Sequence, residues 1–420
     1  MKFTWFHLMP YRYLPDDFKD KYRSVWVDIP QNLYDPKVGH RLYNDYLDQL
    51  EFADQMGFDG LGINEHHQNA YGLMPSPNIM AASLARRTRN ASIVVLGNSI
   101  ALYNPPIRVA EEFAMLDVIC GGRLVAGFPV GTSMDTNFCY GEVPATVREK
   151  YYEAHDLILK AWKEDKVFSF NGKFTKLRYV NLWPKPVQKP HPPIWIPGGG
   201  SIETWQWCAK MDYVYAYLSY FGYKDGKATM DGFWGEMERL GKDRNPYRAG
   251  FLQFVGVAET REKAMELYRE PAEYFYGRCL FTDPKWATPP GYVTEATQRA
   301  GLQSQVGRAA SLAARAQARD VSKMEDIVER GYVIVGSPDE VVEQLTEVAT
   351  SLNVGHLMLL LQYGNMSKEL TKYNTKLFAE AVMPKLKPLF DEWQDRWWPQ
   401  PMEAAERAEV PAFAPRIAAE

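Results

Sequence analysis

No apolar run in this sequence approaches the roughly 20 residues that cross a bilayer as a helix, so no membrane span is expected. The N-terminus, Met1-Lys2-Phe3-Thr4-Trp5-Phe6-His7, carries a short apolar patch and none of the small residues of a cleavage site. No secretory leader is therefore expected, and the cytoplasm is the expected location. Cysteine is scarce. Cys120, Cys139, Cys208 and Cys279 lie far apart and form no CxxC pair, which argues against a zinc site and a disulfide framework. A basic excess is missing too: 48 basic side chains stand against 52 acidic ones, so nothing suggests a nucleic-acid partner. No GxGxxG follows the first apolar run, and no GxxxxGK[ST] occurs, which argues against a dinucleotide fold and a nucleotide-hydrolysing loop. The chain shows no internal repeat.

What is present is the composition of a globular protein with a large core, 46% hydrophobic and 24% charged over 420 residues. Aromatic residues are plentiful: 25 Tyr, 20 Phe and 12 Trp, enough to serve the core and line an apolar ligand pocket. Short apolar runs at 2–9, 58–64, 92–97, 123–128, 194–197, 212–218, 251–258 and 354–361 read as strands. Stretches of helical spacing lie between them. In 41–56, for example, Leu42, Tyr46, Leu50 and Ala53 share one face. Strands alternating with helices predict a parallel sheet, and eight such units predict an α/β fold of the (β/α)8 TIM-barrel type. Asn171-Gly172 marks a hairpin outside this alternation. Two segments exceed simple connections: 10–39, after the first strand, and 281–331, after the seventh helix. The first, with Tyr11, Tyr13, Phe18, Tyr22, Trp26 and Tyr34, is expected to lie over the barrel mouth as a lid. One barrel domain over 1–395 is expected, followed by a tail at 396–420, rich in Pro and Ala and expected to be poorly ordered from Trp397 onward.

Barrel active sites sit at the C-terminal ends of the strands. After the second strand stands Glu65-His66-His67, in a chain with seven histidines. Neighbours on a strand point opposite ways, so one histidine faces the mouth unless the chain turns there. The plain alternative is a histidine packed on the helix layer beside a surface ion pair. No further His or carboxylate stands at metal-ligand spacing, so no metal is expected. After the fifth strand comes Gly198-Gly199-Gly200-Ser201, opening a helix with Thr204 in its first turn. Free N–H groups at such a helix start favour a phosphate; the alternative is an ordinary N-cap by Ser201. After the fourth strand, Gly127-Phe128-Pro129-Val130-Gly131-Thr132 specifies a sharp turn, and Asp135-Thr136-Asn137 follows. Cys120-Gly121-Gly122-Arg123 precedes that strand and belongs to the stability face of the barrel.

In this order the pieces resemble the bacterial-luciferase-like family of flavin-dependent monooxygenases. The marks are Phe52-Ala53-Asp54-Gln55-Met56-Gly57-Phe58-Asp59 leading into Glu65-His66-His67; Asn104-Pro105 through Ala110-Glu111-Glu112 to Leu116-Asp117; Gly121-Gly122-Arg123; Pro192-Pro193-Ile194-Trp195 before Gly200-Ser201; and Val335-Gly336-Ser337-Pro338-Asp339-Glu340. The resemblance implies a (β/α)8 barrel that takes reduced FMN, often from a separate flavin reductase. It further implies that O2 adds to the flavin to give a C4a-hydroperoxide, which oxygenates a small-molecule substrate. It also implies a homo-oligomer, a dimer. It places Phe6, Leu8, Leu96, Gly97 and Asn98 at the flavin, with the Leu96–Gly97 peptide cis. Gly200, Ser201, Thr204 and Arg148 match the phosphate contacts, and Glu65, His66 and His67 the catalytic triplet, with His66 as acid/base. Three positions depart: Pro129 stands at a reactive cysteine, Val130 at a second phosphate arginine and Thr136 at an acidic residue near the flavin. The first two argue against light emission from an aldehyde. The leading expectation is an FMN-dependent monooxygenase acting on an apolar or aromatic molecule. The alternatives are a deazaflavin-dependent hydride-transfer enzyme and a flavin-binding protein without catalysis.

Overall fold

The computed structural model describes residues 1–303 and 323–408. Residues 304–322, which include most of the Ala/Arg/Gln-rich part of the second insertion, and 409–420 lie outside the described residues. The strands are β1 (Lys2–Phe6), β2 (Gly60–Ile63), β3 (Ser92–Val95), β4 (Leu124–Gly127), β5 (Phe168–Asn171), β6 (Lys176–Val180), β7 (Ile194–Gly198), β8 (Val214–Tyr217), β9 (Ala249–Val257), β10 (Val333–Gly336) and β11 (His356–Leu360). Eight of them close a parallel ring in the order β9-β11-β1-β2-β3-β4-β7-β8, with β8 pairing back onto β9. This is the expected barrel. β5 and β6 form the separate antiparallel hairpin signalled by Asn171-Gly172. β10 is an addition. It pairs with the far end of β9, Val333 opposite Phe254 and Gly336 opposite Val257, beyond the reach of β8.

The helices that follow α1 (Phe18–Lys21) include α2 (Pro36–Gln55), α3 (Pro77–Arg87), α4 (Ile107–Ile119), α5 (Val147–Lys163), α6 (Ile202–Met211), α7 (Gly222–Arg239) and α8 (Arg261–Tyr274), with the longer of the later ones at Pro338–Leu352 and Lys368–Leu377. They cover the ring, and strand alternation decides which side chains meet them. On β1, Phe3 packs on Phe378, and Trp5 Nε1–H donates to Thr375 Oγ1 at 3.1 Å, both in the outer layer. Just beyond the strand, His7 reaches Gln49 of α2 at 3.1 Å. Thr4, Phe6 and Leu8 therefore point into the barrel. Gly62 on β2 meets them there: a Cβ on it would lie 2.6 Å from Phe6 Cδ2, so the small residue makes room for the ring.

The bottom of the barrel is closed by aromatic rings. Trp195 packs against His356 at 4.6 Å, and Trp398 stacks on His356. Trp397 Nε1–H donates to Asp212 O at 2.8 Å, and Met402 N–H to Gly121 O at 3.0 Å. The described part of the tail is thus packed under the barrel rather than poorly ordered, because its tryptophans bury there. Arg123 lies on the same face, as expected, and donates to the carbonyls of Ala85, Thr88, Ala91 and Cys120.

The first insertion crosses the opposite, C-terminal mouth. It ends earlier than expected, because Asp35 caps α2 by accepting from Lys37 N–H at 2.8 Å. The start of the second insertion meets it: Ser24 and Thr282 hydroxyls are 2.7 Å apart, and Val25 N–H donates to Phe281 O at 2.7 Å. Tyr11, Phe18 and Trp26 are buried in this cover, whereas Tyr13 and Tyr34 face outward. No helix among the described residues is long and apolar enough to cross a membrane.

Candidate functional site

After Ile63 the chain leaves the sheet, so alternation no longer separates the two histidines, and both are buried with different partners. His67 Nε2 bonds Glu65 Oε1 at 2.7 Å. Glu65 Oε2 accepts from Asn98 Nδ2–H and Ser99 N–H, each at 2.8 Å. Both carboxylate oxygens of Glu65 are therefore engaged in tying the loop after β2 to the loop after β3. His66 turns the other way, and its Nδ1 lies 2.8 Å from Asp135 Oδ2.

Asp135 is the residue the sequence reading passed over. It sits in the π-helical turn Met134–Cys139 beyond β4, one position before the Thr136 singled out as a departure. It accepts from His67 N–H at 2.9 Å, Trp26 Nε1–H at 3.1 Å and the Thr132 hydroxyl at 2.8 Å. Burial disfavours its charge. The charge and hydrogen bond of His66, then His67 N–H and the Thr132 hydroxyl, outweigh that and hold the carboxyl below its ordinary range. The available signal was an acidic residue with a threonine three positions earlier, in a loop on the catalytic face.

The His66 ring packs edge-on against Trp26, at 5.1 Å, and Tyr71, at 4.8 Å, whose rings stack on each other at 4.1 Å beside it. The Tyr71 hydroxyl donates to that of Tyr220. His66 Nε2 has no protein partner among the described residues. A carboxylate accepting from Nδ1–H orients the ring and leaves the Nε2 lone pair free to take a proton. Asp135→Asn is expected to cost about 1.5–3 kcal/mol of stability at pH 7, the range of a hydrogen bond involving a charged group. A carboxyl held below its unfolded value contributes stability above the unfolded range, near ~3.9, and loses it as pH falls through the lowered folded value. The deficit should therefore close in denaturant titrations run from pH 7 down to that low range. A gap of constant size across the range would contradict the assignment.

The second cluster is built at the end of β7. Gly199 and Gly200 lead to Ser201 and α6, with Tyr215 OH donating to Gly199 O at 2.6 Å. Arg148 Nη2 reaches Ser201 Oγ at 3.4 Å, and buried Thr204 donates its N–H to Ser201 O at 3.1 Å. Gly200, Ser201, Thr204 and Arg148 are thus brought together. Ser201 does not cap its helix through its side chain. Its hydroxyl donates to Glu203 Oε2 at 2.9 Å. Glu203, which the sequence reading did not single out, also accepts from the hydroxyls of Thr294 and Thr297 in the second insertion. Burial opposes its charge, but these donors and Ser201 hold its carboxyl below the ordinary range.

Phe6, Leu8 and Leu96 are buried at the inner top of the barrel, and Asn98 Nδ2–H donates to Tyr103 OH as well as to Glu65. The cis Leu96–Gly97 bond expected from the resemblance is not found. The cis peptides among the described residues are Asn104–Pro105, Trp183–Pro184 and Lys189–Pro190. Leu96 N–H donates to Ile63 O at 2.6 Å and Asn98 N–H to Gly127 O at 2.8 Å, so the sheet pattern runs through the bond and keeps it trans. Gly97 is needed for another reason: a Cβ there would collide with the Pro129 ring, one of the departing positions. No group of three or more His, Cys, Asp or Glu among the described residues is placed to hold a metal ion.

With this geometry in hand, comparison with known proteins gives a consistent picture. The family model described as luciferase-like monooxygenase matches residues 26–353. An uncharacterised protein of Sinorhizobium fredii is 34% identical over 234 residues, 54% of this chain and 65% of that protein. The oxygenase component of a flavin-dependent trigonelline monooxygenase from Acinetobacter baylyi is 29% identical over 178 residues, 41% of this chain and 48% of that protein. The aligned stretch thus spans less than two thirds of either relative. Among solved structures, the oxygenating constituent of 3,6-diketocamphane monooxygenase from Pseudomonas putida, in complex with FMN, superposes with a TM-score of 0.64 at 18% identity, over 82% of this chain and 94% of the other. An F420-dependent secondary alcohol dehydrogenase superposes with a TM-score of 0.60 at 18% identity, over 92% and 98%.

Proposed function

The chain belongs to the luciferase-like monooxygenase family, and on that premise we propose that it is an FMN-dependent monooxygenase acting on an apolar or aromatic small molecule. The family's fold serves both FMN and F420 enzymes. The observation that carries the FMN reading is the His66–Asp135 pair at 2.8 Å, roofed by Trp26 and Tyr71 under a cover that both insertions join to make. A reduced flavin that meets oxygen must be kept from water, and an aromatic roof does that.

The residues fit the cofactor. Arg148, the hydroxyls of Ser201 and Thr204 and the first-turn N–H groups of α6 make the donor set a phosphate needs. Phe6, Leu8 and Leu96 offer an apolar wall for a flat ring. Reduced FMN, when bound, supplies the electrons that activate O2 for transfer to the substrate. Asp135 holds Nδ1 of His66, and Nε2 gives and takes the proton at the reacting atoms. Trp26 and Tyr71 pack against the His66 ring and hold its orientation. Glu65 and His67 position the two loops on which this rests. We assign Glu65 and His67 no direct contact with the reaction.

The name "oxygenase component" of the Acinetobacter relative supports a separate flavin reductase as partner. Exposed Ile79 on α3 and Met115, Val118 and Ile119 on α4 support a homo-oligomer, a dimer. Four free cysteines fit a reducing compartment such as the cytoplasm. The test is turnover with FMN, NADH, a flavin reductase and isotopically labelled O2 against a panel of apolar and aromatic compounds. Label in a product supports a monooxygenase. Reduction or oxidation of a compound with F420 alone, without label, would replace this reading by hydride transfer.

A further inference from the structure

Two side-chain oxygens at the inner top of the barrel are buried and have no donor: Asn64 Oδ1 and Gln362 Oε1. Both point inward. Asn64 is two residues beyond Gly62, whose missing side chain faces Phe6. His356 and Met358 on β11 lie against the inner position of Gly250, and alternation carries the same direction to Leu360 and Gln362. The register fixes their neighbours. Gly62 pairs with Phe6, so Asn64 lies level with Leu8, and Ile63 pairs with Val95, so Asn64 is also level with Leu96. Leu359 pairs with Trp5, which brings Gln362 level with Leu8 from the other side. The two amide oxygens therefore flank the apolar wall assigned to the flavin ring. A buried carbonyl oxygen without a donor destabilises a fold, and two at one level of the barrel, beside the apolar wall, point to a ligand that brings donors.

We propose that Asn64 and Gln362 are cofactor-binding residues that accept hydrogen bonds from N–H groups of the flavin ring. The inference rests on the FMN reading above and adds to it the polar contacts that orient the ring. The Gln362 amide nitrogen is only weakly occupied, with Gly364 O at 3.5 Å, so the side chain is free to turn toward a ring edge.

The test compares binding of FMN and of 3-methyl-FMN, which lacks the ring N3–H, to the wild type and to Asn64→Leu, Gln362→Met and Arg148→Ala. The wild type is expected to bind FMN about tenfold more tightly than the methylated flavin, the effect of one hydrogen bond to a buried acceptor. N3–H is a single donor, so one of Asn64→Leu and Gln362→Met should shrink that ratio, and the other should weaken reduced FMN, which adds an N5–H donor, more than oxidised FMN; Arg148→Ala should weaken every form equally. Neither apolar variant should lower the melting temperature, since each removes an unpaired oxygen from the apo protein. A fall in melting temperature with an unchanged ratio would make the amides structural and overturn the proposal. A ratio that shrinks in one variant, with the other variant leaving both redox states of FMN bound as in the wild type, would confine the contact to one residue and overturn the pair. Equal wild-type affinity for the two flavins would overturn this inference and leave the FMN reading standing. No FMN binding in either redox state would remove both.

Discussion

Replacing His66 by Ala is expected to lower turnover by about 10²-fold or more, the range seen when a general acid/base is lost. The argument is geometric. Nδ1 is committed to Asp135, the ring packs edge-on against the Trp26–Tyr71 stack, and Nε2 remains to exchange a proton at the mouth. Flavin affinity should change little, because the residues proposed to hold the phosphate lie in a separate cluster on α5 and at the start of α6. His67→Ala should behave differently. It strips Glu65 Oε1 of its buried partner, and the loss should appear in stability before it appears in turnover per folded molecule. Measuring turnover and melting temperature on both variants separates the roles. A destabilised but fully active His66→Ala protein would show that the ring serves packing alone.

Arg148→Ala is expected to weaken FMN binding by about 1.5–3 kcal/mol, as for a hydrogen bond to a charged group, or roughly 10- to 150-fold in Kd. Riboflavin, which has no phosphate, should bind the variant and the wild type alike. The reasoning follows from the placement of Arg148 beside Ser201, at the start of a helix whose dipole already favours an anion. Glu203 works against this: its carboxylate holds the Ser201 hydroxyl and must give it up when a phosphate arrives. Fluorescence titrations with the two flavins measure the difference. An equal loss for FMN and riboflavin would move the arginine out of the phosphate site.

The barrel was legible because its strands are short, apolar and regularly spaced between amphipathic helices. β10 was not. Val333–Gly336 has four residues and pairs only with the end of β9, so no periodicity announces it. The packed tail was misread because Pro, Ala and Glu dominate its composition, whereas Trp397 and Trp398 determine its place under His356 and Trp195. At the site, position after a strand was enough to single out Glu65-His66-His67 and Gly200-Ser201. Partners from distant loops were not visible. Asp135 and Trp26 lie 69 and 40 residues from His66, the first in a π-helical turn that shifts an acidic residue by one position. The packing of Gly97 on the Pro129 ring was hidden for the same reason, since the two residues stand on different loops.

The central claim, that reduced FMN is the cofactor of this barrel, is tested most directly by anaerobic titration of the protein with reduced FMN, reduced riboflavin and reduced F420. Saturable one-to-one binding of reduced FMN is predicted, about tenfold or more tighter than riboflavin because of the phosphate cluster, with F420 the weakest of the three. Tight binding of F420 together with no preference for FMN over riboflavin would contradict it.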